Sequence, residues 1–211
     1  TWCLVGSEMC IRDSIIDDES LDVEIESAPL GARAYFEFGD PFPDHTKLIC
    51  DSAGAILKGP VGLSYDETQK IPIEFLPERG AILPLSKRYD TYANFRPVRL
   101  SSTMKQFSPL KNELLEEGID FVIVRELVGG LYFGAKSHGV NREGLRYVRE
   151  TLEYNEAQIR RVLVAAFDLA SERRCHLHNI HKSNVLLSSE LWNEVLREVA
   201  QNYPNVEVTH M

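Results

Sequence analysis

The chain has 211 residues, of which 44% are hydrophobic and 26% charged, a composition typical of a globular protein with one large or two small domains. Its net charge of −9 argues against nonspecific binding to nucleic acid or to an anionic membrane. No apolar run approaches the ~20 residues of a membrane helix, and no signal-peptide pattern is evident. The four cysteines form neither a metal pattern nor a disulfide framework, so we expect a reducing cytoplasm.

Residues 1–14 differ in character from the rest of the chain. Their sequence, Thr-Trp-Cys-Leu-Val-Gly-Ser-Glu-Met-Cys-Ile-Arg-Asp-Ser, resembles translated adaptor sequence rather than a natural segment. We therefore exclude it from the fold prediction, as one excludes an expression scar. The alternative is a genuine N-terminal strand of unusual composition.

The following part of the chain begins an alternation of strands and helices. The pattern predicts a strand at 21–25 and a short helix at 43–51 with Asp44 as its N-cap. A short apolar strand at 55–57 then enters a loop that runs from Gly59 to Gly62.

The alternation continues to the C-terminus. Apolar periodicity and capping residues predict three helices, at 109–117 (ending at Gly118), at 155–174, and at 189–203 with Ser188 or Ser189 as cap. Strands are predicted at 119–124, 175–180 and 206–209. Strands that alternate with helices indicate an α/β sheet.

The stretch 122–134, Val-Ile-Val-Arg-Glu-Leu-Val-Gly-Gly-Leu-Tyr-Phe-Gly, is the most informative. Its apolar run predicts a buried strand that stops at Arg125, and Gly129 and Gly130 allow a sharp turn or a close ligand approach. A cation and the phenol of Tyr132 thus stand at a strand end, where α/β proteins build their sites. The alternative is an ordinary surface pair of Arg125 with Glu126 and a half-buried tyrosine.

This stretch closely resembles the Arg-Glu-Leu-Thr-Gly-Gly-Ile-Tyr-Phe-Gly signature of the isopropylmalate and isocitrate group of β-decarboxylating dehydrogenases. Further segments agree with that family in order and spacing, which makes the resemblance much more specific than one motif. They are 76–85 (Leu-Pro-Glu-Arg-Gly-Ala-Ile-Leu-Pro-Leu), 92–97 (Tyr-Ala-Asn-Phe-Arg-Pro), 181–186 (His-Lys-Ser-Asn-Val-Leu) and 188–192 (Ser-Ser-Glu-Leu-Trp).

The resemblance implies an α/β fold of two domains around a cleft, and a homodimer. We expect part of the cofactor-side domain at 15–97 and most of the substrate and dimer domain at 98–211. The implied reaction is NAD-dependent oxidative decarboxylation of 3-isopropylmalate to 4-methyl-2-oxopentanoate, in leucine biosynthesis. We expect the chain to be an internal piece, somewhat over half of a family member, and to be inactive by itself.

Several residues match functional positions of the family. Arg96 and Arg125 match substrate-carboxylate arginines, for which a planar guanidinium is suited. Tyr132 matches a tyrosine that helps to protonate the enolate, and Lys182 a lysine that assists removal of the hydroxyl proton across the dimer interface. For Arg96 and Lys182 the alternative is an ordinary solvated side chain.

The cofactor positions implied by the resemblance are Gly62 and Leu63, in a cofactor-facing loop, and Glu78, near the nicotinamide end of NAD. The chain lacks the classical dinucleotide fingerprint, and a Gly-x-x-Gly loop is weak evidence by itself. The Mg²⁺ or Mn²⁺ aspartates of the family are expected beyond Met211, so no metal ligand is assigned in this chain. For the histidines at 176, 178 and 181 we favour a polar strand edge over a metal site.

Two positions depart from the family pattern. Ser86 stands where the family has its first substrate arginine, ten residues before Arg96, and Lys87 or Arg88 is a candidate replacement. His181 replaces the usual aspartate before Lys182, which removes an anion and should ease deprotonation of the lysine. These departures keep open a tartrate-, isocitrate- or homoisocitrate-type paralogue, or a non-catalytic dimerising homologue.

Overall fold

The computed structural model describes residues 2–5, 22–116 and 118–211. The chain forms two compact units, Thr1–Tyr89 and Asp90–Met211. Residue 97, the expected end of the first domain, lies within a strand of the second unit.

The first unit contains a parallel sheet of three strands. They are β1 (Trp2–Val5), β2 (Ile25–Ala28) and β3 (Ala55–Lys58), in the order β2-β1-β3. Excluding residues 1–14 from the fold was therefore wrong for 2–5, because backbone pairing makes them the central strand. The origin of the segment stays a prediction, and 6–14 lie outside the described residues. The strand expected at 21–25 forms at Ile25–Ala28 instead, while Leu21 is not described.

Short helices complete the first unit. They are α1 (Ala32–Phe38), α2 (Asp44–Ser52), α3 (Tyr65–Thr68) and α4 (Leu83–Arg88), with a π-helical turn at Pro77–Ile82 before α4. The helix at 43–51 is confirmed, but its N-cap is Pro43, and Asp44 accepts a hydrogen bond from the Lys47 ammonium at 2.8 Å. The buried core consists of small and apolar residues: Ala28, Leu30, Phe42, Cys50 and Ala81.

An ion pair connects α2 to the end of α4. Arg88 Nε donates to Asp51 Oδ1 at 2.9 Å, and the Tyr89 hydroxyl donates to the same oxygen at 2.6 Å. These hydrogen bonds, Arg88 first, lower the pKa of Asp51 to about 2. Burial is the main cause that raises the pKa of Tyr89 to about 12.

The second unit contains three pairs of strands. β4 (Ala93–Leu100) is antiparallel to β5 (Ile119–Glu126), β6 (Lys136–Val140) is antiparallel to β7 (Arg146–Glu150), and β8 (His176–Asn179) is parallel to β9 (Glu207–His210). The helix predicted at 109–117 was wrong. Only a 3-10 turn at Asn112–Leu115 forms there, because Leu115 is buried while Leu114 is 64% exposed, which leaves no apolar face to pack.

Strand β5 is confirmed, and it extends to Glu126. Its predicted burial was wrong, since Phe121 and Ile123 remain 47% and 49% exposed. In the part of the chain that the structure describes, β5 pairs with β4 alone, so its other edge has no partner strand.

The core of the second unit lies between α5 (Glu156–Ser171) and α6 (Leu187–Ala200). Asn155 caps α5, since its Oδ1 accepts from Gln158 N at 2.9 Å. The predicted cap of α6 was wrong: Leu186 is the N-cap, and Ser189 accepts a hydrogen bond from Lys182 N. The apolar face predicted on α5 is confirmed at its buried positions, Ile159, Val162, Leu163 and Phe167.

No helix of the described ranges is long and apolar enough to cross a membrane.

Phe167 should be essential to the second unit. Its side chain is fully buried and stacks on Tyr203 at 4.9 Å, so Phe167→Ala should lower the free energy of unfolding by about 3–5 kcal/mol. Leu187→Ala, at a position 79% exposed, should change it by less than about 0.5 kcal/mol. Urea unfolding followed by circular dichroism measures both, and equal losses would contradict the assigned core.

The Asp51 ion pair predicts a pH-dependent stability. The folded pKa of about 2 lies below the ~3.9 of an unfolded aspartate, so the stabilisation is complete above about pH 4 and disappears as the pH falls through 2. Asp51→Asn should therefore be less stable than the unmodified protein at pH 7, and the difference should vanish near pH 2. The exposed Asp22 provides the control, Asp22→Asn. A difference that is constant across this range would contradict the assignment.

Candidate functional site

Both predicted substrate arginines, Arg96 and Arg125, lie on one face of the β4–β5 pair. In the observed register Asn94 lies opposite Arg125, and Arg96 lies opposite Ile123. Because side chains alternate along a strand, Arg96, Asn94 and Arg125 all point to the same side. Arg96 Nε donates to Asn94 Oδ1 at 2.8 Å. The antiparallel register therefore brings together two guanidinium groups that are distant in sequence.

Tyr132 returns to the same face after a tight turn. The turn at Gly129–Gly130 leads into a 3-10 segment, Gly130–Tyr132, and the Tyr132 ring centroid lies 5.4 Å from Arg125 Cζ. A guanidinium within about 6 Å of a ring centroid is attracted to the face of the ring, and no hydrogen bond of the Arg125 guanidinium to another described residue accompanies this contact. Tyr132 is 52% exposed, so its hydroxyl is accessible to a ligand.

The turn is built by the carboxylate of Glu126, which is only 7% exposed. Its Oε1 accepts from Val128 N at 3.0 Å and its Oε2 from Gly129 N at 2.9 Å. The alternative of an Arg125–Glu126 surface pair is therefore wrong, because neighbouring residues of a strand point to opposite faces. Sequence reasoning missed this role, although a carboxylate two and three residues before the N–H groups of a glycine turn is a usable signal.

Tyr154 explains why the turn needs glycines. Gly130 has φ +67°, and a Cβ there would overlap the Tyr154 hydroxyl; at Gly129 a Cβ would lie 2.9 Å from Tyr154 Cε1. Burial raises the pKa of Tyr154, with the Glu126 charge as a further cause in the same direction. No motif in the sequence pointed to this tyrosine.

Lys182 lies apart from this cluster, in the loop between β8 and α6. Its backbone N–H donates to Ser189 Oγ at 3.2 Å, and its carbonyl accepts from Val185 N and Leu186 N at 3.2 and 2.9 Å. Its side chain is exposed and forms no ion pair with another described residue. Within the described chain no hydrogen bond or ring contact joins it to Arg96, Arg125 or Tyr132.

Two of the predicted cofactor residues line a cleft in the first unit. Gly62 and Leu63 border a space of about 410 Å³ at the ends of β2 and α1, together with Arg33 and His45. A Cβ on Gly62 would meet no atom within 4 Å, so packing among the described residues does not require the glycine. Glu78 is exposed on the π-helical turn and is not among the residues that line this cleft.

The two residues suggested to supply the charge missing at Ser86, Lys87 and Arg88, differ in their contacts. Ser86 is buried in α4. Arg88 is bonded to Asp51, so binding a substrate carboxylate would require it to exchange this partner. Lys87, which is exposed, remains the other candidate.

The histidines of β8 form a polar strand edge. The rings of His176 and His178 lie 4.3 Å apart, and both bond to Thr209 Oγ1 on β9. Among the described residues no three histidine, cysteine, aspartate or glutamate side chains are placed to hold a metal ion.

Removing the Glu126 acceptor should loosen the turn that carries Tyr132. Glu126→Gln sets an NH₂ group against one backbone N–H, so amide exchange at Val128 or Gly129 should accelerate about 5- to 100-fold, equivalent to the ~1–3 kcal/mol of an unsatisfied buried donor. Glu150→Gln, at an exposed site on β7, is the control. Unchanged exchange in Glu126→Gln would show that the carboxylate does not hold the turn.

The chain is similar to proteins of known family. The family described as isocitrate/isopropylmalate dehydrogenase matches residues 9–211, a range that begins inside the segment thought to be foreign. The 3-isopropylmalate dehydrogenase of Buchnera aphidicola subsp. Rhopalosiphum padi is 41% identical over 91% of this chain and 52% of its own length. That of Symbiobacterium thermophilum is 43% identical over 90% of this chain and 51% of its own length.

The fold comparison agrees. The crystal structure of isocitrate dehydrogenase from Methylococcus capsulatus superposes with a TM-score of 0.76 at 23% identity, over 100% of this chain and 59% of that one. The chain spans about half the length of the curated relatives it matches. The expected α/β fold is confirmed, and the chain belongs to the isocitrate/isopropylmalate dehydrogenase family.

Proposed function

We propose that the complete protein oxidises and decarboxylates 3-isopropylmalate with NAD, giving 4-methyl-2-oxopentanoate for leucine biosynthesis. The observation that best supports this function is the cluster of Arg96, Arg125 and Tyr132 on one accessible face of β4–β5. The relatives named 3-isopropylmalate dehydrogenase support this substrate.

The two guanidinium groups would bind the carboxylates of a hydroxy diacid. A guanidinium presents paired N–H donors that match a carboxylate in a bidentate arrangement. The bond from Arg96 Nε to Asn94 uses one N–H of the guanidinium and would leave the others for a ligand. The Tyr132 ring restricts the position of the Arg125 guanidinium through their cation–π contact. Both cations are therefore oriented before substrate arrives.

Tyr132 would donate a proton to the enolate left after loss of carbon dioxide. A phenol serves as a general acid when it is held within reach of the carbon that accepts the proton. The Glu126-bonded turn and the stacking on Arg125 hold this ring next to the carboxylate-binding groups. Lys182 would help to remove the hydroxyl proton, from the partner subunit of a homodimer.

NAD would accept the hydride when bound. Gly62 and Leu63 in the first-unit cleft are the residues proposed to hold it, with Glu78 as a further candidate. The described residues do not form a site for the divalent metal ion that the family requires. Its carboxylate ligands are proposed to lie beyond Met211.

A second candidate is a sister dehydrogenase that acts on another 2-hydroxy diacid. Ser86, buried where the family pattern has an arginine, is the observation that favours it. One charge-assisted bond to a carboxylate is worth about 1.5–3 kcal/mol, enough to change the preferred acid. A non-catalytic homologue is the other alternative.

The direct experiment is a dehydrogenase assay of the complete protein. NADH formation should be strongest with 3-isopropylmalate and should require Mg²⁺ or Mn²⁺, while the 211-residue chain alone should be inactive. Preference for tartrate, isocitrate or homoisocitrate would select the sister function. A folded complete protein that turns over none of the four acids would select the non-catalytic alternative.

Variants of the same protein test the assigned groups. Arg125→Lys should lower kcat/KM by about 10- to 100-fold through loss of bidentate binding. Tyr132→Phe should lower kcat about 100-fold or more with a small change in KM. Arg149→Lys is a matched control, because Arg149 on β7 also stacks on a tyrosine, Tyr147, at 6.0 Å. Equal effects at Arg125 and Arg149 would contradict the proposed site.

A further inference from the structure

We propose that His181 is a positioning residue whose neutral imidazole holds the loop that presents Lys182, so that the order of this loop depends on pH. The proposal rests on the proposed function only in treating Lys182 as a reactive group. The structural part, a histidine that acts as acceptor for a backbone turn, can be tested without an activity assay.

The contact that supports this proposal lies within the loop between β8 and α6. His181 Nδ1 accepts a hydrogen bond from Ser183 N at 3.2 Å. The side chain of residue i thus bonds the N–H of residue i+2, as aspartate and asparagine do in an Asx turn. Lys182 is the residue enclosed by this turn. A hydrogen bond that fixes this turn therefore also fixes the backbone end of the Lys182 side chain.

Only the neutral form of His181 can make this bond. In neutral imidazole one ring nitrogen is an acceptor, whereas both nitrogens are donors after protonation. The Ser183 N–H would then face another N–H. Aspartate loses its charge only in strong acid and asparagine does not titrate, but histidine ordinarily changes charge between about pH 5 and 8. A histidine acceptor therefore differs from an aspartate or asparagine acceptor in that one added proton abolishes the hydrogen bond.

The other anchors of the loop do not use an imidazole. His181 N donates to Met211 O at 3.1 Å, Lys182 N donates to Ser189 Oγ at 3.2 Å, and the Lys182 carbonyl accepts from Val185 N and Leu186 N. Met211 is the last residue of the 211-residue chain, so its oxygen belongs to a carboxylate there and to a peptide group in a longer chain. The hydrogen bond to the His181 ring is the described anchor that protonation of a histidine would break.

The surroundings of the ring supply few charges. From β9, His210 packs edge-on at 5.4 Å, and its own Nδ1 accepts from Asn179 Nδ2 at 3.3 Å. Lys182 follows directly in the chain, and α6 carries Glu190 in its first turn. Protonation of His181 would therefore add a cation beside Lys182 and His210. The loop should be ordered while His181 is neutral and should loosen once it is protonated.

Nuclear magnetic resonance of the complete protein tests the structural part. With serine amides labelled with ¹⁵N, the Ser183 signal should shift, and its exchange should accelerate about 2- to 10-fold, as His181 takes up a proton. In His181→Asn, which keeps an acceptor without a titration, the Ser183 signal should stay constant over the same range. In His181→Ala its exchange should be fast at every pH. His138→Asn, at an exposed site on β6, is the control and should leave the Ser183 titration in place.

Kinetics test the link to Lys182. The unmodified protein should lose kcat/KM on the acid side with the same midpoint as the Ser183 signal, and His181→Asn should remove that component. Ser189→Ala should lower kcat about 2- to 10-fold at all pH values without moving the midpoint. His181→Asp should move the Lys182-dependent limb to higher pH, because a neighbouring anion favours the ammonium form.

The outcomes separate the two proposals. A Ser183 amide that ignores the protonation of His181 overturns this inference, whatever the protein catalyses. A Ser183 amide that titrates as expected, in a folded protein that turns over none of the four acids, supports the turn and contradicts the proposed function. Turnover with an identical acid limb in His181→Asn overturns the link to Lys182 alone.

Discussion

The antiparallel register of β4 and β5 is the constraint on which the candidate site depends. It sets Asn94 opposite Arg125 and therefore puts Arg96 and Arg125 on one face. A slip of one residue would send one arginine to the opposite side of the pair. Tyr132 depends on the same register, because its turn begins where β5 ends. Neither arginine needs a special conformation of its own, since the pairing of the two backbones supplies their relative placement.

Side-chain acceptors for backbone N–H groups recur at both places that carry proposed chemistry. Glu126 holds the turn before Tyr132 with two carboxylate oxygens, and His181 holds the turn around Lys182 with one ring nitrogen. The two acceptors differ in how protonation affects them. A carboxylate keeps an acceptor oxygen even when it is protonated, whereas an imidazolium keeps no acceptor nitrogen. One proton would therefore remove one of the two Glu126 acceptors but the single acceptor of His181.

The contacts of Arg88 in the first unit show why a neighbouring residue does not easily replace the arginine charge that is missing at Ser86. Arg88 is close in sequence to Ser86, but its guanidinium already bonds Asp51, which in turn accepts from Tyr89. Moving Arg88 to a substrate would leave a carboxylate whose low pKa depends on that cation. Ser86 itself is buried in α4. This packing therefore favours a site with fewer cations, or a different substrate acid, over the recruitment of Arg88.

The sequence by itself determined the strong local patterns. The α5 face with Ile159, Val162, Leu163 and Phe167, strand β5 and the residues of the family motifs were all readable, because helix and strand periods are written in consecutive residues. Only the tertiary structure decided the rest. The exposure of Phe121 and Ile123, the 3-10 turn in place of a helix at 109–117, and the bonding of Arg88 to Asp51 depend on neighbours or on backbone geometry. The turn acceptors Glu126 and His181 lie two or three residues before their N–H groups, a spacing that the sequence contains, but the folded backbone decides that they are used. Pairing register and side-chain competition are not encoded at any fixed spacing, so they appear only when the chain is folded.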